Sequence, residues 1–237
     1  MWRVLGALAV LFAFVLGSAV PGAAVSPRDW CVKGNRVRFG AADGTRLVGA
    51  RYGRGTTAVV LAHQSDGTLC AWQPYARRLA AEGYLAFPFD FRNYGESQHR
   101  RYPASERLAG DVVAAARAVR ALGATRVFLV GASMGGTAVV VAAANARPPV
   151  AGVVSVSGAA NYGRIDAVAA ARRLAVPALF MAGEGDVDFA NDARTLYAAA
   201  AAPDKSLEIL PSSAHGVTLV GTSAQARSLL ESFIRAH

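Results

Sequence analysis

The strongest chemical signal in the chain is Gly131-Ala132-Ser133-Met134-Gly135, set directly behind the apolar run Val127 to Val130 and directly before a stretch of small residues with helical character. A serine at the apex of a strand-turn-helix is a nucleophile elbow. The bend is so tight that side chains two positions either side of the serine would meet neighbouring backbone, which suits glycine to positions 131 and 135. A seryl hydroxyl is a weak nucleophile until an adjacent base takes its proton. In elbow proteins the acid and then the histidine follow the serine along the chain. Of the four histidines, His63, His99, His215 and His237, only the last two do so. His237 is the final residue, where chains fray. His215, in Ser213-Ala214-His215-Gly216, is therefore the candidate base.

The acid must leave a strand at the same sheet edge as the serine. The run Pro177 to Gly183 delivers Glu184, Asp186 and Asp188 there. Asp186 is the candidate, with Asp188 the alternative that a two-residue error in the loop would select. In this division of work His215 takes the Ser133 proton during attack on a carbonyl, then protonates the leaving group, and Asp186 holds the imidazole tautomer. The oxyanion needs donors, each worth roughly 3 to 4 kcal/mol by deletion. Met134, the residue after the nucleophile, supplies one backbone N–H. The second comes from the loop His63-Gln64-Ser65-Asp66-Gly67, with the Ser65 amide preferred to that of Gln64.

The elements that must position these groups can be read from periodicity. Arg36 to Phe39 and Arg46 to Tyr52 alternate around Asp43-Gly44, which predicts a hairpin. From Thr57 onward, apolar runs of strand length alternate with stretches of helical period: an α/β chain with a mostly parallel sheet crossed by helices. The predicted strands are Ala58 to His63, Leu85 to Phe91, Arg126 to Gly131, Val150 to Val156, Pro177 to Gly183 and Ser206 to Leu210. Helical stripes run through Trp72, Tyr75, Ala76, Leu79 and Ala80, and through Leu108, Val112, Ala115, Val119 and Leu122. A last helix places Leu229, Leu230, Phe233 and Ile234 on one face behind a cap at Thr222 or Ser223. Only about 20 residues separate the strands ending near Ser157 and starting at Pro177, too few for a large cap domain.

Composition bounds the rest. With 53% hydrophobic and 17% charged residues in 237, the chain is globular. The net charge of +9 rests on 23 arginines and two lysines spread without a run, which argues against nucleic acid and for a solvated basic surface with weak attraction to an acidic cell envelope. Residues Val4 to Leu16 form an apolar run behind Arg3, followed by small residues up to Ala24. This predicts a signal peptide over residues 1–24, a secreted or envelope location, and one catalytic domain over residues 25–237. In an exported chain Cys31 and Cys70 are expected to pair, closing a loop of about 40 residues for about 3 to 4 kcal/mol. No histidine or cysteine stands at metal-ligand spacing, so neither a metal nor a cofactor is expected.

With these residues in view, the chain resembles the α/β-hydrolase superfamily over nearly its whole mature length. Within it, the small cap-less serine hydrolases of the esterase, lipase and dienelactone-hydrolase-like kind are most similar. The elbow Gly131 to Gly135, the acid segment Gly183-Glu184-Gly185-Asp186 and the loop Ala214-His215-Gly216 carry the likeness. So does Asp90-Phe91-Arg92-Asn93-Tyr94-Gly95-Glu96-Ser97, in which the resemblance implies loop-building roles for Asp90 and Arg92. It also implies cleavage of small or lipid-like carboxylic esters through a Ser133 acyl-enzyme. A peptidase or amidase on the same groups, or a non-catalytic envelope binding protein on the same scaffold, are the alternatives. Two departures stand out: Gln64 occupies the place of the family's usual glycine after the oxyanion-loop histidine, and Ser133 stands where dienelactone hydrolases proper carry cysteine.

Overall fold

The computed structural model describes residues 35–100 and 105–237. The leader over residues 1–24 and Cys31, with its expected bridge to Cys70, lie outside the described residues. The alternating segments form the expected hairpin. Strands β1 (Arg36–Gly40) and β2 (Arg46–Ala50) pair antiparallel with Gly40 opposite Arg46. Gly44 turns at φ +78° while Asp43 accepts from the Thr45 N–H at 3.1 Å.

The strand and helix grammar then unrolls in order: β3 (Thr57–Ala62), α1 (Gln73–Ala81), β4 (Leu85–Asp90), α2 (Leu108–Ala121), β5 (Arg126–Ala132), α3 (Met134–Asn145) and β6 (Gly152–Val156). A two-stranded ladder of β7 (Asn161–Tyr162) with β8 (Ile165–Asp166) and the short α4 (Ala167–Ala171) follow. The chain continues through β9 (Ala178–Gly183), α5 (Val187–Ala199), β10 (Lys205–Leu210), α6 (Gly216–Thr222) and α7 (Ala224–Ala236). Among the described residues one eight-stranded sheet has the order β1-β2-β4-β3-β5-β6-β9-β10. Strands β4, β3, β5, β6, β9 and β10 are mutually parallel. Among the described residues the architecture is a mostly parallel α/β sheet with a leading antiparallel hairpin and no large cap.

Burial on both faces explains why the central strands are almost wholly apolar. Phe87, Phe89, Phe128 and Phe180 are all fully or nearly fully buried. Helix α3 is buried nearly all round, and its Ala, Gly and Val residues let it lie close to the sheet. A Cβ on Gly136 would come within 2.8 Å of the Gly158 Cα. Ser223, one of the two expected caps, accepts from the Ala226 N–H at 3.1 Å to start α7.

The two loop residues behave as the resemblance implies. Asp90 accepts from the Leu69 N–H at 2.8 Å and the Glu96 N–H at 3.1 Å. Arg92, 4% exposed, donates from Nε to Asp111 Oδ2 at 2.9 Å and from Nη1 to Asp43 Oδ2 at 2.7 Å, tying α2 to the hairpin turn. Three features depart from the sequence reading. The β7–β8 ladder and α6 are additions, and the chain end is not frayed. Both ring nitrogens of His237 face acceptors, Nδ1 the Phe233 carbonyl and Nε2 Asp204 Oδ2, each at 2.9 Å, and its ring lies 4.6 Å from that of Phe233.

Candidate active site

Register decides what meets at the sheet edge. Ala62 pairs with Gly131, Ala132 with Val156, Val156 with Met181, and Gly183 with Leu210. The residues that leave β3, β5, β6, β9 and β10 therefore emerge along one rim, where parallel sheets bind their ligands. Ser133, Ser157, Asp186 and the loop to His215 all lie there. His237 lies at the other rim, beside Asp204 at the start of β10.

Ser133 has φ +50° and ψ −116°, an uncommon backbone for any residue but glycine. The bend is held by its N–H on the Val156 carbonyl at 2.9 Å and by its carbonyl, which accepts from the Thr137 N–H at 3.0 Å. The flanking glycines have no alternative. A Cβ on Gly131 would sit 2.2 Å from the Gly135 carbonyl oxygen, and one on Gly135 would sit 2.3 Å from that of Ala62. Ser133 is 9% exposed. No hydrogen bond joins its hydroxyl to His215 or to any other described residue.

The structure brings the other two candidates together. His215 Nδ1 lies 2.8 Å from Asp186 Oδ2, with the side chains 32% and 13% exposed. A carboxylate accepts, so Nδ1 carries a proton, and in the neutral tautomer this contact selects, Nε2 keeps the lone pair. Asp188 stands exposed on the first turn of α5, and its side chain makes no hydrogen bond among the described residues. Ser133, Asp186 and His215 are each the N-cap of a helix, α3, α5 and α6, and none of the three side chains caps its own helix. Each is thus free for other work. Three helix N-termini, each with its positive dipole end, border the rim where negative charge would develop.

Residues that sequence reasoning missed complete the surroundings. The Phe189 ring lies 4.3 Å from the His215 ring, tilted by 56°. Gly216 donates to Ser157 Oγ at 3.1 Å and Val217 to Gln64 Oε1 at 2.9 Å. Such contacts join segments remote in sequence, and no local pattern announces them. A Cβ on Gly216 would lie 3.4 Å from that of Ala132, which brings the residues flanking His215 and Ser133 side by side.

Of the oxyanion candidates, Met134 occupies the first turn of α3, and its side chain is buried with Sδ accepting from the Tyr94 hydroxyl at 3.5 Å. Ser65 is exposed in the loop behind β3, and its amide donates to no acceptor among the described residues. That loop is founded on His63, which is fully buried. Its Nδ1 meets the Gln64 carbonyl at 2.7 Å, and its Nε2 accepts from the Phe91 N–H at 3.2 Å. A carbonyl only accepts and an amide N–H only donates, so this ring is neutral with its proton on Nδ1. Burial pushes its pKa down to about 4, against the opposing pull of the Gln64 carbonyl and Asp66.

A family model described as alpha/beta hydrolase fold matches residues 57–172. No curated protein sequence matches the chain. Among solved structures, an esterase from Pyrococcus furiosus superposes with a TM-score of 0.75 at 18% identity, covering 89% of this chain and 95% of that one. An esterase from Thermogutta terrifontis gives 0.72 at 16%, covering 85% and 98%. An enol-lactonase from Burkholderia xenovorans gives 0.71 at 18%, covering 83% and 99%.

Proposed function

We propose that this chain, which has the α/β-hydrolase fold without a large cap, is a serine hydrolase that cleaves carboxylic esters through an acyl-enzyme on Ser133. The observation that carries the reading is the 2.8 Å contact of His215 Nδ1 with Asp186 Oδ2 at the sheet rim from which the strained Ser133 projects. Small-ester chemistry draws further support from the likeness to two esterases and an enol-lactonase.

In the reaction the Ser133 hydroxyl turns toward His215 Nε2, which takes its proton as Oγ attacks the ester carbonyl. The imidazolium so formed is stabilised by Asp186, and the Phe189 ring beside it favours the same charge. The oxyanion is received by the N–H of Met134 and that of Ser65. His215 then gives its proton to the departing alcohol, and the carbonyl re-forms as the Ser133 ester. Water enters, loses a proton to Nε2, attacks the acyl carbon, and Ser133 leaves with the proton returned by His215. No atom beyond water and substrate is consumed. We place this reaction outside the cytoplasm on the strength of the apolar and small residues between Val4 and Ala24.

The test is a fluorophosphonate probe with p-nitrophenyl ester turnover on the same preparations. Wild type should be labelled at Ser133. Ser133→Ala should lose both the label and at least about a thousandfold of turnover. Full turnover by folded Ser133→Ala would overturn the proposal, and labelled protein that cleaves anilides but not esters would move it to an amidase.

A further inference from the structure

Helix α6 begins at a residue whose side chain is already committed. An N-cap side chain ordinarily accepts from the second or third N–H of its helix. His215 does not, because its imidazole faces Asp186. The donors left over at the start of α6 are met by other parts of the chain. The Gly216 N–H goes to Ser157 Oγ at 3.1 Å, the Val217 N–H to Gln64 Oε1 at 2.9 Å, and the Thr218 N–H to the His215 carbonyl at 3.1 Å. Gln64 is held in turn, its Nε2 donating to Asp66 Oδ1 at 2.8 Å. The fit is close: Gly216 has φ +56°, and a Cβ there would come 2.5 Å from Gln64 Oε1.

We infer that Gln64 is a positioning residue for His215. Its side-chain amide straps the loop carrying the Ser65 N–H to the first turn of α6, so the general base and the second oxyanion donor are set by one hydrogen-bonded link. The inference rests on the roles assigned to Ser133 and His215 above. It also gives a physical reason for a long amide at a position where the resembled family carries glycine: a glycine could not reach Val217.

The experiment uses the full chain and two readouts. Hydrogen exchange at the Val217 amide reports the strap without reference to catalysis, since that N–H has Gln64 as its acceptor. Steady-state kinetics with p-nitrophenyl acetate report its consequence. In Gln64→Ala, Val217 exchange should quicken by about tenfold, and kcat should fall about tenfold with KM within about twofold, the signature of a lost transition-state interaction. The double variant Gln64→Glu with Asp66→Asn keeps an acceptor for Val217 and reverses the donor of the lower pair. It should restore slow exchange and bring kcat to within about threefold of wild type. Asp66→Ala, at an exposed position, loosens the strap without removing it and should move both readouts part of the way, which keeps the test open if Gln64→Ala does not fold. Unchanged Val217 exchange in Gln64→Ala overturns the strap. Quickened exchange with unchanged kcat overturns its positioning role, as does a double variant with slow exchange and no recovery of kcat. Failure of the underlying reading is seen separately, as turnover that survives Ser133→Ala.

Discussion

Lowering the pH from neutrality should unlatch the oxyanion loop through His63, and the size of the effect can be worked out. The ring is fully buried between the Gln64 carbonyl and the Phe91 N–H, and burial lowers its pKa from 6.5 to about 4. In the unfolded chain the ring titrates near 6.5. Between these values the unfolded state binds the extra proton, so the contribution of His63 is fully present above about pH 6.5 and is lost as pH falls toward about 4. The whole window is worth about 3 kcal/mol, of which about 2 kcal/mol falls between pH 7 and pH 5, above the range of ordinary carboxylates. His237 works in the opposite direction. Burial lowers its pKa, but the Asp204 carboxylate and the Phe233 carbonyl outweigh that and raise it, so its contribution grows as pH falls. The His63 part is therefore read as a difference: urea unfolding of wild type and His63→Gln at about pH 7 and pH 5, with the His63 ring resonance followed by NMR. Wild type should lose about 2 kcal/mol more than the variant over this interval. A ring that titrates near 6.5 in the folded protein, or equal losses in the two proteins, would refute the reasoning.

Two further substitutions test the rim. Gly135→Ala drives a Cβ to 2.3 Å from the Ala62 carbonyl oxygen, so the end of β3 and the start of α3 must part by about 0.7 Å or more. A displacement approaching 1 Å at the elbow should cost about a hundredfold in kcat/KM, together with about 1 to 3 kcal/mol of stability in thermal unfolding. Asp186→Asn removes the acceptor that fixes the His215 tautomer and should lower kcat by about a thousandfold to ten-thousandfold, whereas Asp188→Asn, exposed on α5, should stay within about twofold of wild type when assayed with the same ester.

What could be read from the residues in advance followed from local necessity. The buried parallel strands announce themselves because both faces are covered, and every end of their apolar runs falls within two residues of the observed strand end, several coinciding. The Gly-x-Ser-x-Gly bend is legible because neighbouring backbone forbids a Cβ at 131 and 135. The seven-residue α6 left no such trace. Its first donors are satisfied by Ser157 and Gln64, which arrive from the ends of β6 and β3, so the capping signal is scattered over the chain. The strands of the β7–β8 ladder have two residues each, too short to show alternation. The expectation of a frayed terminus at His237 failed because Phe233, one turn back, and Asp204, which is remote in sequence and which no local pattern reports, together hold the terminal ring in place.

The connection between β6 and β9 has a consequence for how such a scaffold changes over evolutionary time. It crosses the rim with the β7–β8 ladder, whose turn at Gly163 and Arg164 is exposed. Added sequence is tolerated best at tips of this sort, where the strands on either side keep their pairing. A roof grown from that turn would narrow the range of molecules admitted and leave the reactive groups untouched, so selectivity and chemistry can drift independently in descendants of this chain.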